Sequence, residues 1–465
     1  YEFQQKEGER VSQAAYDLEA QFVEICDQVE QDGFPIRKDL LDQKLAQIKA
    51  RHLDLLNKIH VAFPPRAKKL AEVHPRKTKS GAYSKNTKGF KLLGNTARLV
   101  WGDFTLIEWE EFNPDSSKQV RERMDEFGWK PEEMTKPSKT FPDGQPKVSE
   151  ANLNTLPDTA PGEAKFITEY LKLSTRIELM ENWIANYNPA TKSVHGRIIH
   201  IGAITHRCAH RDPNTANIPG NDEWNIRECW GLPSDSEYRL VGVDAKGIQL
   251  RILAHLTNSE EFKQVVLHGD PHTEFTAPIV AKFFPELVAW TTEEEKHEVK
   301  QKKTKRFIYA WLLGAGFKKV GVIFGTSKEN GKVISEGFVN EFPGLAELKE
   351  YLADCAAKGW FPAPDGRYAP IKSEHYALSV ALQCIEATLM KLAMILWKRE
   401  VDRLQLEARY AAFVHDEVQI IAHHSAAEQA GQIMIASIIK AGQMLKLRCP
   451  MDGDMNIGYN WSQTH

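Results

Sequence analysis

The chain has 465 residues, 42% of them hydrophobic and 26% charged, with a formal net charge of −3. That length exceeds one ordinary core and points to two or more lobes, while the near-neutral charge means that any nucleic-acid surface must be local. Six scattered cysteines without a Cys-x-x-Cys pair argue against a zinc ribbon or disulfide framework, and no signal pattern or membrane-length apolar run stands out, so a cytoplasmic protein with reduced thiols is expected.

Residues 9–58 read as two helices broken at Gly33-Phe34-Pro35, with Ala14, Leu18, Phe22 and Ile25 on one stripe and Leu45, Ile48, Leu53, Leu55 and Leu56 on the second helix. Asp17 and Glu19 have the Asp-x-Glu spacing of some metal-dependent exonuclease sites. On an amphipathic helix they read instead as a solvated acidic face, and no convincing proofreading site is visible. From Pro64 to Arg98 the cations Arg66, Lys68, Lys69, Arg76, Lys77, Lys79, Lys85, Lys88, Lys91 and Arg98 face a single acid, Glu72. This reads as an exposed loop, either a solvated linker, a clamp on a phosphate backbone or a docking site.

A helix starts near Asn113 and ends near Gly128-Trp129, residues 131–161 are loop, and a long helix covers about 163–187. Tyr238 to Asp244 then alternates as a strand, and Ile248, Leu250, Ile252, Leu253 and Leu256 continue as a helix. Beyond it come helical stretches at 260–290 and 336–358 with a strongly basic one between, a turn at Pro364-Asp365-Gly366-Arg367, a helix through Gln383 to Arg399, and a hairpin centred on His415-Asp416.

Alone, Asp244 reads as a cap or turn residue. If the His415-Asp416 hairpin lies beside its strand, two carboxylates face each other, and such a pair calls for hard divalent cations with substrate phosphates completing the shell. Two ions of this kind can serve phosphoryl transfer. A third piece is Lys300 to Gly316, where Gln301, Lys305, Tyr309 and Leu313 fall on one helical face. A basic start followed by an aromatic ring suits a nucleoside triphosphate.

With these pieces in order, the chain resembles the polymerase portion of a family A DNA polymerase, and within that family the T-seven-type phage replicative enzymes. The resemblance also rests on Thr205-His206-Arg207-Cys208-Ala209-His210 with the run Asp212 to Pro219, on Gly269-Asp270-Pro271-His272-Thr273, on Gln383, and on the closing Ile457-Gly458-Tyr459-Asn460-Trp461. It implies an α+β right-hand architecture with an antiparallel palm sheet carrying the catalytic acids: thumb 1–190 with a basic insertion at about 60–105, palm 191–259, fingers 260–360, and the second part of the palm 361–465.

The resemblance further implies template-directed addition of deoxynucleotides to a primer 3′-hydroxyl with release of pyrophosphate, in phage genome replication. Asp244, Asp416 and the Ala245 carbonyl would bind two Mg²⁺ ions. Lys305 would hold the triphosphate and protonate the leaving group, with His272, Tyr309, Gln249, Gln301 and Arg306 around the nucleotide. Arg207, Gln383, His415 and Arg367 would contact primer-template DNA, Arg207 and Gln383 in the minor groove. Thioredoxin at the basic insertion and a helicase-primase are the partners implied beyond DNA and deoxynucleotides, with direct duplex contact by the insertion as the alternative. An RNA polymerase and a non-catalytic DNA-binding accessory are the rival readings.

Three positions depart from the family pattern. Gln301 stands where an Arg is usual, Gln249 where a Glu is usual, and Leu313 where a Tyr is usual. In the family that Glu and Tyr hydrogen-bond, so the last two changes are expected to be coupled, because a carboxylate facing Leu313 would be poorly paired.

Overall fold

The computed structural model describes residues 12–82, 84, 102–131, 133–220 and 223–465. The chain divides into two compact units, one of residues Asp42–Asn182 and one joining the segment up to Leu41 to everything from Trp183 onward. The expected boundary near residue 190 grouped residues 12–41 with the first lobe. They belong instead to the second unit, because the helix Gln13–Asp32 buries Leu18, Phe22 and Ile25 in its core, where Phe22 meets Phe413 edge-on at 5.6 Å. Ala15, not Ala14, heads that stripe.

In the Asp42–Asn182 unit, the stripe Leu45, Ile48, Leu55 and Ile59 is buried along the helix Lys38–Ala62, while Leu53 is exposed. The expected basic loop opens and closes as an antiparallel ribbon, Arg66–Val73 against Phe104–Glu110. Its register sets Arg66 opposite Glu110 and Lys68 opposite Glu108, so the far strand supplies acids that the 64–98 stretch lacks. Arg66 also reaches Glu126 at 2.8 Å, and Lys68 reaches Glu110 at 2.6 Å. Lys85, Lys88, Lys91 and Arg98 lie outside the described residues.

The second unit is organised around a four-stranded antiparallel sheet in the order Ala408–Val414, Glu417–His423, Tyr238–Ala245, Gly453–Gly458. The Tyr238–Ala245 strand is central, and Leu240, Val241 and Val243 are fully buried on both of its faces. Gly242 has no room for a side chain: a Cβ there would run into the Thr464 carbonyl and the Gln419 amide. The helices Ala377–Leu404 and Ala427–Met444 close the core, joined by Trp397 Nε1 donating to the Ala430 carbonyl at 2.8 Å. Against the expectation that no run reaches membrane length, Glu374–Leu404 has the length and apolarity of a membrane span, but 83% of its most apolar window is buried inside the protein.

The expected helical stretch 260–290 is broken into Glu260–His268, a wide π-turn at Pro271–Thr276, and Ala277–Ala281. The stretch 336–358 is two helices, Lys328–Glu341 and Leu345–Lys358. Gly344 separates them in the left-handed region (φ 76°), and a Cβ there would strike the Thr257 carbonyl. Phe262, Phe275, Phe338 and Phe342 form the aromatic centre of this region, with Phe262 and Phe342 4.6 Å apart.

Candidate active site

The strand carrying Asp244 stops where Gly247 takes a left-handed turn (φ 56°) into the helix Ile248–Thr257. Next to it, pairing of Val414 with Glu417 leaves His415 and Asp416 as a two-residue hairpin turn, with His415 held at φ 57°. Non-glycine residues in that conformation carry strain that the surrounding structure must hold. The Ala245 amide donates to the Asp416 carbonyl at 3.0 Å, fastening the turn to the end of the Asp244 strand. The two acids are thus brought together by backbone pairing.

Asp244 also lies in register between Glu417 on one side and Asp454 on the other. Its side chain reaches solvent, yet the protein around it raises its carboxyl to about 7, first by desolvation and next through the Asp416 charge, with Glu417 and Asp454 adding. Burial raises Asp416 as well. Glu417 differs: burial would raise it, but donation from His465, Gln419 and Trp461 holds it below its ordinary value. Two carboxyls that disfavour their own charge, on adjoining strand ends, are a donor set suited to cations.

Tyr309 and His272 approach the same place. Tyr309 feels the charges of Asp416 and Asp244, and burial with those charges pushes its phenol up to about 12. Its ring centroid lies 6.0 Å from that of His272, which is 7% exposed. Burial brings His272 down to about 4, with Lys300 and Lys305 lowering it further against Asp270. Its Nδ1 is buried and makes no hydrogen bond within the protein. Asp270 fixes this turn, accepting from the His272 amide at 3.1 Å and the Thr273 hydroxyl at 2.8 Å, and pairing with Lys300 at 2.8 Å.

The expected single helical face from Gln301 to Leu313 is interrupted. Val299–Thr304 is a π-turn, and the regular helix begins only at Lys305 and ends at Leu312. Such bulges concentrate at functional sites. Gln301, Lys305 and Arg306 are exposed, and Leu313 is 46% exposed.

On the other side, Arg207 is mostly buried and pairs with Glu386 at 2.5 Å; Glu386 is itself 1% exposed. The second Glu386 oxygen accepts from Gln249 Nε2 at 3.3 Å. Gln249 therefore finds a partner on the helix Ala377–Leu404, an interaction beyond the expected coupling to Leu313. Gln383 is half-buried one turn before Glu386 and donates to Ser379 at 3.0 Å. His415 keeps access to solvent, yet desolvation by the protein around its ring, and next the Arg207 charge, lower it.

Arg367 does not fit its expected place at the DNA. It is 4% exposed, its guanidinium held by Asp365 and, at 2.6 Å, by Glu19. Glu19 also takes Lys391 at 2.6 Å and His200 at 2.8 Å, so it is the anion of a buried cluster and not part of a solvated face. Asp17 does face solvent.

The sequence model described as "DNA polymerase family A" matches residues 93–463, most of the chain. The chain belongs to DNA polymerase family A.

It is similar to the DNA-directed DNA polymerases of Escherichia phage T7 and Enterobacteria phage T3, each 26% identical over 97% of this chain and 70% of the relative. The thermostable DNA polymerase I of Thermus aquaticus is 27% identical over 75% of the chain and 42% of its own length. Among solved structures, the POL domain of Pol1 from M. smegmatis, in complex with DNA primer-template and dNTP, shares the fold, with a TM-score of 0.75 at 18% identity, covering 96% of this chain and 70% of that one.

This family A DNA polymerase also holds site residues that its sequence pattern does not mark. Glu386 follows Gln383 at helical spacing, a signal open to reading, but an acid inside an apolar helix gave no hint of its partners. Lys300 and Asp270 lie thirty residues apart, and no local pattern links them. His465 could not be linked to Glu417 without the fold.

Proposed function

We propose that the polymerase adds deoxynucleotides to the 3′-hydroxyl of a primer on a DNA template and releases pyrophosphate, with Asp244, Asp416 and the Ala245 carbonyl holding two Mg²⁺ ions. The observation that carries this reading is the pairing of the two acids: the Ala245 amide is bonded to Asp416, and the Asp416 charge raises Asp244. When bound, such ions would activate the attacking oxygen and stabilise the leaving one.

The chain's own groups do the rest. Lys305, exposed at the start of its helix and close enough to His272 to lower it, holds the triphosphate and gives a proton to the departing pyrophosphate. His272, brought down to about 4, is neutral near pH 7 and meets phosphate as a hydrogen-bonding group, not as a cation. Tyr309 keeps its phenolic proton and offers a flat ring beside the incoming sugar and base. Gln301 and Arg306 extend the polar rim around the triphosphate.

Arg207 and Gln383 contact the minor groove of the primer-template, where both base pairs offer acceptors, and His415 lies at the primer end. Arg367 braces the turn beneath this surface. Replication of a phage genome in a bacterial cytoplasm is the setting that the T7 and T3 relatives support. The residues at the centre of the basic insertion lie outside the described ones, and neither thioredoxin nor a helicase-primase is carried into this proposal.

Extension of a primed template with Mg²⁺ tests the reading. Asp416→Ala should lower the rate by about a thousandfold, about 4 kcal/mol in barrier, with the melting temperature kept. Equal activity in Asp416→Ala would overturn the site assignment, no extension by the parent chain would make it a DNA-binding accessory, and preference for ribonucleotides would make it an RNA polymerase.

A further inference from the structure

The helix Ala377–Leu404 is apolar where it crosses the core, yet it carries Glu386 at 1% exposure. An ionised carboxyl so deeply placed is costly unless it is paired. Its pairing is specific: one oxygen takes Arg207 at 2.5 Å and the other takes Gln249 at 3.3 Å. Those two residues come from segments more than forty positions apart and are joined by nothing else in the structure as described.

Each of them also keeps one buried polar atom without a partner in the protein, Arg207 Nε and Gln249 Oε1. One is a donor and the other an acceptor, and both sit on side chains whose remaining polar edge Glu386 has fixed. Gln383 stands three residues before Glu386 on the same helix and so on the same face. Glu386 therefore lies directly behind the groups read above as facing primer and nucleotide.

The arrangement also accounts for the amide at 249. A carboxylate there would sit against the Glu386 carboxylate inside the protein, with Arg207 as the one cation among the three, and like charges at that range in a buried place repel strongly. One anion, one cation and one amide satisfy the triad.

We propose that Glu386 is a positioning residue for nucleotide selection, a single shared carboxylate that ties the primer-terminus contact of Arg207 to the seating of the incoming nucleotide beside Gln249. The inference rests on the site assignment proposed above. A mispaired primer end that displaces Arg207 pulls on Glu386 and so on Gln249, and a misfitting sugar or base does the reverse. Selection at the two places is then one property and not two.

Single-nucleotide extension by the full chain, from matched and mispaired primer ends and with deoxy- and ribonucleotides, tests this with kcat and KM separated. Glu386→Gln keeps the shape and removes the charge. It should reduce both discriminations on the order of tenfold, with KM for the matched nucleotide moving less. Arg207→Ala combined with Glu386→Gln should be no worse than Arg207→Ala alone, since both cut one connection. Gln249→Glu alone should lose extension on the order of tenfold, and adding Glu386→Gln, which restores a single carboxylate, should recover most of it.

Parental discrimination in a folded Glu386→Gln, additive losses with Arg207→Ala, or no recovery in the swapped pair would each overturn the proposal. If Glu386→Gln does not fold, the swapped pair decides. Asp416→Ala run alongside separates the two levels: extension surviving there sinks the site assignment, whereas its loss beside an indifferent Glu386→Gln sinks only the shared carboxylate.

Discussion

Asp244 and Glu417 stand opposite each other on neighbouring strands, yet their carboxyls are driven in opposite directions. Asp244 is raised to about 7, while Glu417 is held below its ordinary value against burial by His465 at 2.9 Å together with Gln419 and Trp461. The sheet thus separates a carboxyl reserved for structure from one left available to a ligand. His465 also lowers Asp244 at longer range. His465→Ala should therefore raise Asp244 further and shift the Mg²⁺ midpoint for primer extension upward by roughly threefold, the equivalent of half a pKa unit. An unmoved midpoint would detach the Glu417 pair from the metal site.

The raised Asp244 has a definite pH consequence in the protein without metal. Below its ordinary value of 3.8 both folded and unfolded chains carry the proton, and no difference arises. Between that value and about 7 the unfolded chain releases the proton while the folded one keeps it, so the folded state loses stability as pH rises through this window. A bound cation must displace the same proton, which weakens apparent metal affinity below pH 7. Thermal melts at pH 5 and pH 7.5, with and without Mg²⁺, should show a larger metal-induced gain at the higher pH. Asp244→Asn should abolish most of that difference; an unchanged gain would place the metal elsewhere.

Glu19 pairs with Lys391 and shares Arg367 with Asp365, both cations being 4% exposed or less. Removing Glu19 leaves Arg367 with Asp365 but Lys391 without its carboxylate, and an uncompensated buried charge costs about 3–5 kcal/mol. Glu19→Ala should lower the denaturant midpoint accordingly. Asp17→Ala, at a position open to solvent, should leave it within about 0.5 kcal/mol.

Gln301 lies on the π-turn just before Lys305, and neighbouring Lys300 is held by Asp270 at 2.8 Å. An Arg at 301 would bring a permanent cation to the exposed rim. Gln301→Arg should lower KM for the nucleotide by roughly two- to tenfold with little change in kcat, because such a contact is the same in ground and transition states. Lys305→Ala should lower both kcat and kcat/KM. Pre-steady-state nucleotide titrations would separate these patterns.

What could be read from the sequence followed the range of the interactions. Val414-His415-Asp416-Glu417 declared a hairpin because its signal is local, and Tyr238 to Asp244 declared a strand for the same reason. The solvated acidic face expected for Asp17 and Glu19 failed at Glu19 for the opposite reason: Glu19 is satisfied by Arg367 and Lys391, more than three hundred residues away, and helical periodicity carries no record of them. The π-turn at Val299–Thr304 was hidden because Gln301, Lys305 and Tyr309 keep α-helical spacing whether or not the backbone does. The ribbon Arg66–Val73 was lost beneath its lysines, whose acids arrive from the partner strand. Composition marks a segment's charge, but not where its counter-charge will come from.

The central sheet also sets a timetable. The Asp244 strand is flanked by one neighbour ending at His423 and another ending at Gly458, both made long after it. At roughly 5–20 residues per second of synthesis, it waits on the order of ten to thirty seconds with both edges unpaired. Its apolar run Leu240, Val241 and Val243 is then open to whatever strand comes first. A nascent chain halted before residue 416 has neither the Asp244–Asp416 juxtaposition nor a finished sheet.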